Sequence, residues 1–375
     1  MLSNKKAFIG FALSFLTISS VANAENYSAS SWVPESHVIT QNFFTEFSKN
    51  VNEKTKGNIN FEVYSAGALL PPKGTLDGVK SGIAQYGYIA TAYQPALFPN
   101  ANILNELAFV SKDPVAAAFA STEVSMLNPI IQKEYNGHDV VFGAGYSTMS
   151  YNFICSTPIR TIEDLKGKKI RTAGGAHVKW VSSLGAIPVS VSTSEMYSGL
   201  QRGSIDCSMA DSTFLTSSFK LQEVAKFITN LNMGSHTSGG MILNKDFWKS
   251  RTVQERKILL DSLAESLANL EVNWEAEAQK AFIDAQKEGV EVIEASKEMK
   301  TVLDNFNKDY VANLAKNTSE TRKATAPDQL IKEYLTVEEK WRKLLANIDR
   351  TDKAAVLGLL KSEIYNKISP NSYGL

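Results

Sequence analysis

The residue type best suited to grip a small organic anion occurs here at Arg171, three positions before the pair Gly174-Gly175. A guanidinium presents a planar fork of N–H donors that takes a carboxylate through two parallel hydrogen bonds, which an ammonium cannot copy. The surrounding pattern predicts a strand over 169–172, so Arg171 stands near its carboxyl end, where open α/β sheets bind ligands. The glycines then open a helix predicted over 176–184, whose free N–H groups and dipole favour an anion near Gly174. Spacing alone also fits a surface arginine paired with an Asp or Glu, and both readings stand at this point. Tyr93 follows the end of a strand predicted over 85–90, and Asp211 follows one over 205–209. Asp211 suits a ligand hydroxyl or amine, or equally a helix cap. Other chemistry is poorly served. Four scattered histidines and two cysteines make neither a metal set nor a disulfide framework. No HExxH, GxSxG, GxGxxG or phosphate-loop pattern occurs. No catalytic residue, metal or cofactor is therefore assigned, and a cryptic exported hydrolase or lyase is the rival reading.

The elements that must position these residues alternate along the chain. Short strands are predicted over 28–32, 60–64, 85–90 and 139–144, with helices between them. One of these carries Phe43, Phe44, Phe47 and Val51 on a single face. Another, over 115–127, begins with Asp113-Pro114. The pattern restarts with strands over 151–155, 169–172, 187–191 and 205–209, again with helices between. Two consecutive blocks of this kind predict an α/β fold of two lobes, each a mostly parallel sheet flanked by helices. Residues 252–287 then run without Gly or Pro, with Leu259, Leu260, Leu263, Leu267 and Leu270 at helical spacing. Unbroken, that helix would be roughly 54 Å long and would lie across both lobes; a break into two helices is the alternative. Further helices are predicted over 297–315 and 327–346.

Composition narrows the partners. The chain has 375 residues, a length that suits two domains, and 39 basic against 39 acidic side chains. Zero net charge leaves no electrostatic footprint for nucleic acid or an anionic membrane. At the amino terminus, Lys5 and Lys6 precede an apolar run over 7–21 and the small-residue pattern Ala22-Asn23-Ala24. This reads as a cleavable export signal over 1–24, with the mature chain starting at Glu25. As a membrane anchor the run would fall short of the roughly 20 residues a bilayer needs. Export to a periplasm would let Cys155 and Cys207 oxidise, although two buried free thiols fit equally.

Several segments together resemble the solute-binding proteins of tripartite ATP-independent periplasmic (TRAP) transporters. They are Pro34 and His37 after the first strand, and the stretches 44–70, 76–88, 157–175 and 194–211. The run Asp164-Leu165-Lys166-Gly167-Lys168-Lys169-Ile170-Arg171 is the most specific of them, and the spanning helix is a further family mark. The resemblance implies a two-lobed monomer with crossing hinge strands that closes on a small organic acid. It would hand that acid to the small and large membrane subunits of the transporter; a periplasmic binding protein of another transport or sensory system is a rival nearer than the enzyme. It places lobe I at 25–148 plus about 237–275, and lobe II at 149–236 plus about 276–375 with the C-terminal helices. It also implies that Arg171 clamps the ligand carboxylate and that Trp32 lines the pocket, where a core aromatic is the alternative; His236, near the expected second crossover, either touches the ligand or serves as a hinge hydrogen bonder.

Departures from the family pattern bear on the substrate. Tyr151 stands where many relatives carry a second arginine, and Ala210, beside Asp211, stands near their polar Asn. One cationic contact fewer points away from dicarboxylates and sialic acids, toward a monocarboxylate of hydroxyl, keto, amino or aromatic character. Tyr151 offers such a ligand a hydroxyl and a stacking face together.

Overall fold

The computed structural model describes residues 25–237 and 239–375; the expected export signal over 1–24 lies outside the described residues. In the first block the strands are β1 (Glu25–Ser30), β2 (Ile59–Tyr64), β3 (Tyr86–Ile89) and β4 (Val140–Gly145). The second block holds β5 (Asn152–Cys155), β6 (Lys169–Thr172), β7 (Ile187–Ser190), β8 (Cys207–Ala210) and β9 (Phe227–Asn230). The chain then adds β10 (Gly240–Asn244) and β11 (Glu291–Glu294). They form two sheets, ordered β2-β1-β3-β10-β4 and β11-β9-β5-β8-β6-β7.

Both sheets are mixed, which corrects the expectation of mostly parallel pairing. β10 is antiparallel to β3 and β4, and β5 is antiparallel to β8 and β9. These are the two strands that enter a sheet from the opposite lobe, and a crossing strand arrives reversed. The two crossovers lie side by side. Tyr151 N–H donates to the Gly234 carbonyl at 2.9 Å, Met233 N–H to the Tyr151 carbonyl at 2.9 Å, and Thr148 N–H to the His236 carbonyl at 3.1 Å. A pair of extended segments joined this way is a natural hinge.

The long helix is continuous from Val253 to Lys287. Thr252 caps it, its hydroxyl accepting from Glu255 N–H, while the Glu255 carboxylate accepts from Thr252 N–H in a capping box. Leu259, Leu263, Leu267, Leu270 and Trp274 are buried with the first sheet, whereas Ala285 is buried with the second. It therefore crosses both lobes. The C-terminal helices depart from expectation. Helix Lys297–Arg322 shares its buried residues between the two cores, Met299 and Leu303 in one and Leu314 in the other. Helices Pro327–Leu345 and Lys353–Glu363 bury Trp341, Tyr334 and Leu360 in the first core, not the second. Trp341 explains the docking: its ring meets Phe119 edge-on at 5.1 Å and its Nε1 donates to Glu123 at 2.7 Å. Amphipathic spacing shows that such helices need a partner, but not which sheet supplies it.

Cys155 and Cys207 face each other directly in the β5–β8 register and are joined as a disulfide closing a separation of 52 residues. Crosslinks of that span restrict the unfolded chain. Replacing both cysteines with serine is expected to lower stability by about 2–4 kcal/mol, read as an earlier urea midpoint. An unchanged midpoint would show that the bond adds nothing.

Candidate functional site

Arg171 is fully buried in β6. Its Nε donates to the Val191 carbonyl at 3.0 Å, Nη1 to the Met209 carbonyl at 3.2 Å and Nη2 to the Tyr93 hydroxyl at 3.2 Å. Three of the five guanidinium N–H groups are thus spoken for. Among the described residues no carboxylate pairs with it. A buried cation without an ion-pair partner in hydrogen-bond contact is costly, and Glu195 acts on it only through longer-range attraction.

The guanidinium faces a small cavity between the lobes, at the hinge, with a free volume of about 20 Å³. That is room for about one water sphere, so the walls must part to admit an organic acid. From the first lobe, Trp32 lies on Tyr88 with ring centroids 4.4 Å apart and planes at 14°. Its Nε1 donates to the Tyr88 carbonyl at 2.7 Å, which fixes the indole. Tyr93, in the turn after β3, closes the opposite side. Its hydroxyl accepts from Arg171 and, at 3.2 Å, from Thr193 N–H, so one phenol ties the first lobe to two groups of the second. Tyr146, Thr148, Tyr151 and His236 enter from the crossovers, and Phe214 and Trp274 complete the wall.

Five of the seven expected site residues therefore meet: Arg171, Tyr151, Trp32, Tyr93 and His236 all line this cavity. Two do not. Gly174 lines a neighbouring cleft of about 290 Å³ that also takes in Lys73, Pro95 and Arg322. The helix it introduces, Gly175–Ser183, abuts the first lobe: a Cβ on Gly174 would lie 2.5 Å from Asn105 Nδ2, and one on Gly175 2.7 Å from Glu106 Oε1. Glu106 is itself buried, accepting from Asn102, Tyr310 and Arg322. A protein carboxylate thus already occupies the end of the helix where the ligand anion was expected.

Asp211 is the second correction. It is fully buried and turned into its own chain, accepting from Thr213 N–H at 3.0 Å and from the Thr213 hydroxyl at 2.5 Å. It caps the turn Ser212–Phe214 and does not line the cavity. Burial pushes its carboxyl up to about 7, against the opposing hydrogen bonds from Thr213. Protonation is favoured in the folded chain, so stability falls as pH rises from the unfolded value near 4 toward 7. Asp211→Asn removes that penalty. Its melting-temperature advantage over the parent should grow as pH rises from about 4 to 7 and level off above that; a constant difference would contradict the assignment.

Burial likewise favours the neutral form of the three buried histidines, His37, His177 and His236. Burial holds His37 and His177 down to about 3 and His236 well below its ordinary value, with Arg171 adding to the effect at the last two. His37 Nδ1 accepts from Ile39 N–H at 3.1 Å and so orders the first loop, while its ring also reaches the cavity. Burial raises the Tyr151 phenol, and the nearby Arg171 opposes the shift. The wall residues Tyr88, Tyr146, Phe214 and Trp274 were not singled out from sequence. Tyr88 is the one with a legible signal, lying near the carboxyl end of a predicted strand.

Two mixed sheets joined by paired crossovers, a helix laid over both and a closed cavity between them define a two-lobed α/β binding protein. The chain belongs to family 7 of the bacterial extracellular solute-binding proteins, whose family model matches residues 29–318. Solved TRAP periplasmic solute-binding proteins share its fold. It is 26% identical over 261 residues to the 2,3-diketo-L-gulonate-binding periplasmic protein YiaO of Escherichia coli K12, spanning 66% of this chain and 75% of that one. A TRAP solute-binding protein from Rhodoferax ferrireducens T118, in complex with copurified benzoate, superposes with a TM-score of 0.76 at 20% identity. That match covers 85% of this chain and 99% of the other. A TRAP protein from Bordetella bronchiseptica with bound (R)- and (S)-mandelate superposes with a TM-score of 0.72 at 19% identity, covering 84% and 99%. These relatives are receptors for solutes.

Proposed function

We propose that this chain captures a small monocarboxylic acid between its lobes and delivers it, unchanged, to the small and large membrane subunits of a TRAP transporter in a periplasm. The observation that carries the reading is the buried Arg171 guanidinium, to which no carboxylate among the described residues is hydrogen-bonded. One carboxylate would neutralise it and use its remaining N–H groups. The walls support a flat or ring-bearing acid, since Trp32, Tyr88, Tyr93, Tyr146, Tyr151, Phe214 and Trp274 surround the cation. Benzoate and mandelate in the structurally similar proteins fit the same description.

In this mechanism the acid docks on the second lobe through Arg171. Trp32 and Tyr93 then swing over it as the crossovers and the long helix flex. A ligand drives closure only through its extra affinity for the closed form, and the Tyr93 hydroxyl supplies part of that contact from the other lobe. A melting-temperature screen of organic acids at neutral pH tests the reading. Monocarboxylates should raise the midpoint, because they bind the folded chain alone. A screen in which only neutral or cationic solutes do so would overturn it, and recovery of a chemically altered acid would restore the enzyme alternative.

A further inference from the structure

His236 and His177 each bury an Nδ1 that has no hydrogen-bond partner. The two rings lie 5.0 Å apart, and Tyr151 stacks on both, at 5.6 Å from His236 and 5.5 Å from His177, each at 22°. His236 and Tyr151 line the cavity; His177 stands behind them with its ring edge-on to Phe109 at 5.1 Å. A buried imidazole nitrogen left unpaired carries its desolvation cost without a compensating hydrogen bond, so two in one cluster call for a reason. Crystal-like packing does not supply one, because a phenylalanine ring would fill either place without the penalty.

We propose that His236 reads a hydroxyl group of the bound acid, with His177 and Tyr151 holding its ring in place, so that the chain selects 2-hydroxy monocarboxylates over their deoxy counterparts. The inference rests on the reading of Arg171 as the carboxylate clamp. Position follows from that clamp: Arg171, Tyr151 and His236 line the same cavity of about 20 Å³ and the Arg171 charge acts on both of the others, so a group that reaches His236 lies close to the carboxylate. The chemical class follows from the charge state. A neutral imidazole carries one N–H and one lone pair, and which of them is at Nδ1 depends on the tautomer. A hydroxyl both donates and accepts, and so satisfies either arrangement. A second carboxylate would meet no cation there, and an ammonium would be held against Arg171. A site built around a hydroxyl discriminates against the analogue that lacks it, because its own polar atoms are then left unpaired.

Calorimetry with two matched pairs, mandelate with phenylacetate and lactate with propionate, tests this. The parent protein should bind the hydroxy acid at least about 10-fold more tightly in whichever pair it accepts. In His236→Phe that ratio should fall to within about 2-fold, by loss of hydroxy-acid affinity alone. His236→Gln, which keeps a donor and an acceptor, should recover most of it. His177→Phe should shrink the ratio while leaving deoxy-acid binding intact; a structural defect would weaken both acids alike. Equal affinity for both members of each pair, with both lost in Arg171→Ala, would overturn the hydroxyl reading and leave the carboxylate site standing. Absence of binding by any monocarboxylate would overturn both.

Discussion

Arg171→Ala is expected to weaken binding of the acid by roughly 30-fold to several thousand-fold in calorimetry, a loss of about 2–5 kcal/mol. Most of that loss is the cost of leaving the ligand carboxylate buried and unpaired. Among the described residues there is no substitute, because no other Lys or Arg lines the cavity and burial lowers the proton affinity of its two histidines, His37 and His236. Arg171→Lys separates charge from shape. It keeps the cation but cannot hold the Val191 and Met209 carbonyls, the Tyr93 hydroxyl and a carboxylate at once, so it should recover only part of the affinity. Equal affinity in the parent and Arg171→Ala proteins would remove the residue from the site. The free protein should respond the other way: deleting an unpaired buried cation relieves a desolvation cost, so the melting temperature without ligand should not fall in proportion.

A dicarboxylate should bind at least about 100-fold more weakly than a monocarboxylate of similar size, because its second charge would be buried without a partner. The pH dependence gives the sign. A dianion can enter only by carrying a proton, so its affinity should rise as pH falls from 8 toward 5, by up to about 10-fold per unit. A monocarboxylate should change little over that range. The histidines do not alter this, since burial depresses their proton affinity and keeps them neutral throughout. A dicarboxylate that binds tightly and without pH dependence at neutral pH would mean that a second cation reaches the cavity. Tyr151, standing where many relatives have that cation, would then have been misjudged.

How much of this was legible in the sequence differs from element to element. The strand 169–172, the long helix and the buried stripe of Phe43, Phe44, Phe47 and Val51 follow from local periodicity, and the structure reproduces them, with the helix unbroken. The strands β9, β10 and β11 were not read. Each spans only four or five residues, and β10 is buried throughout, so no alternation betrays it. Missing β10 is also why the mixed character of the first sheet went unforeseen. Arg171 was legible because strand end, glycine pair and motif coincide. Asp211 and Gly174 were placed one step too close to the ligand for a common reason: position after a strand says that a residue is near the cleft, not where its side chain or amide points. Asp211 turns back to cap its own turn, and the helix after Gly174 meets Glu106. His177 was placed on the right helix, but its partnership with Tyr151 and His236 depends on the hinge, and no spacing rule brings those three segments together.

The most direct measurement is a crystal structure of the protein grown with a monocarboxylic acid that raises its melting temperature. Both carboxylate oxygens should lie within hydrogen-bond distance of the Arg171 guanidinium, enclosed by Trp32 and Tyr93. An acid bound elsewhere, with the Arg171 fork still bare or paired to a protein side chain, would contradict the assignment.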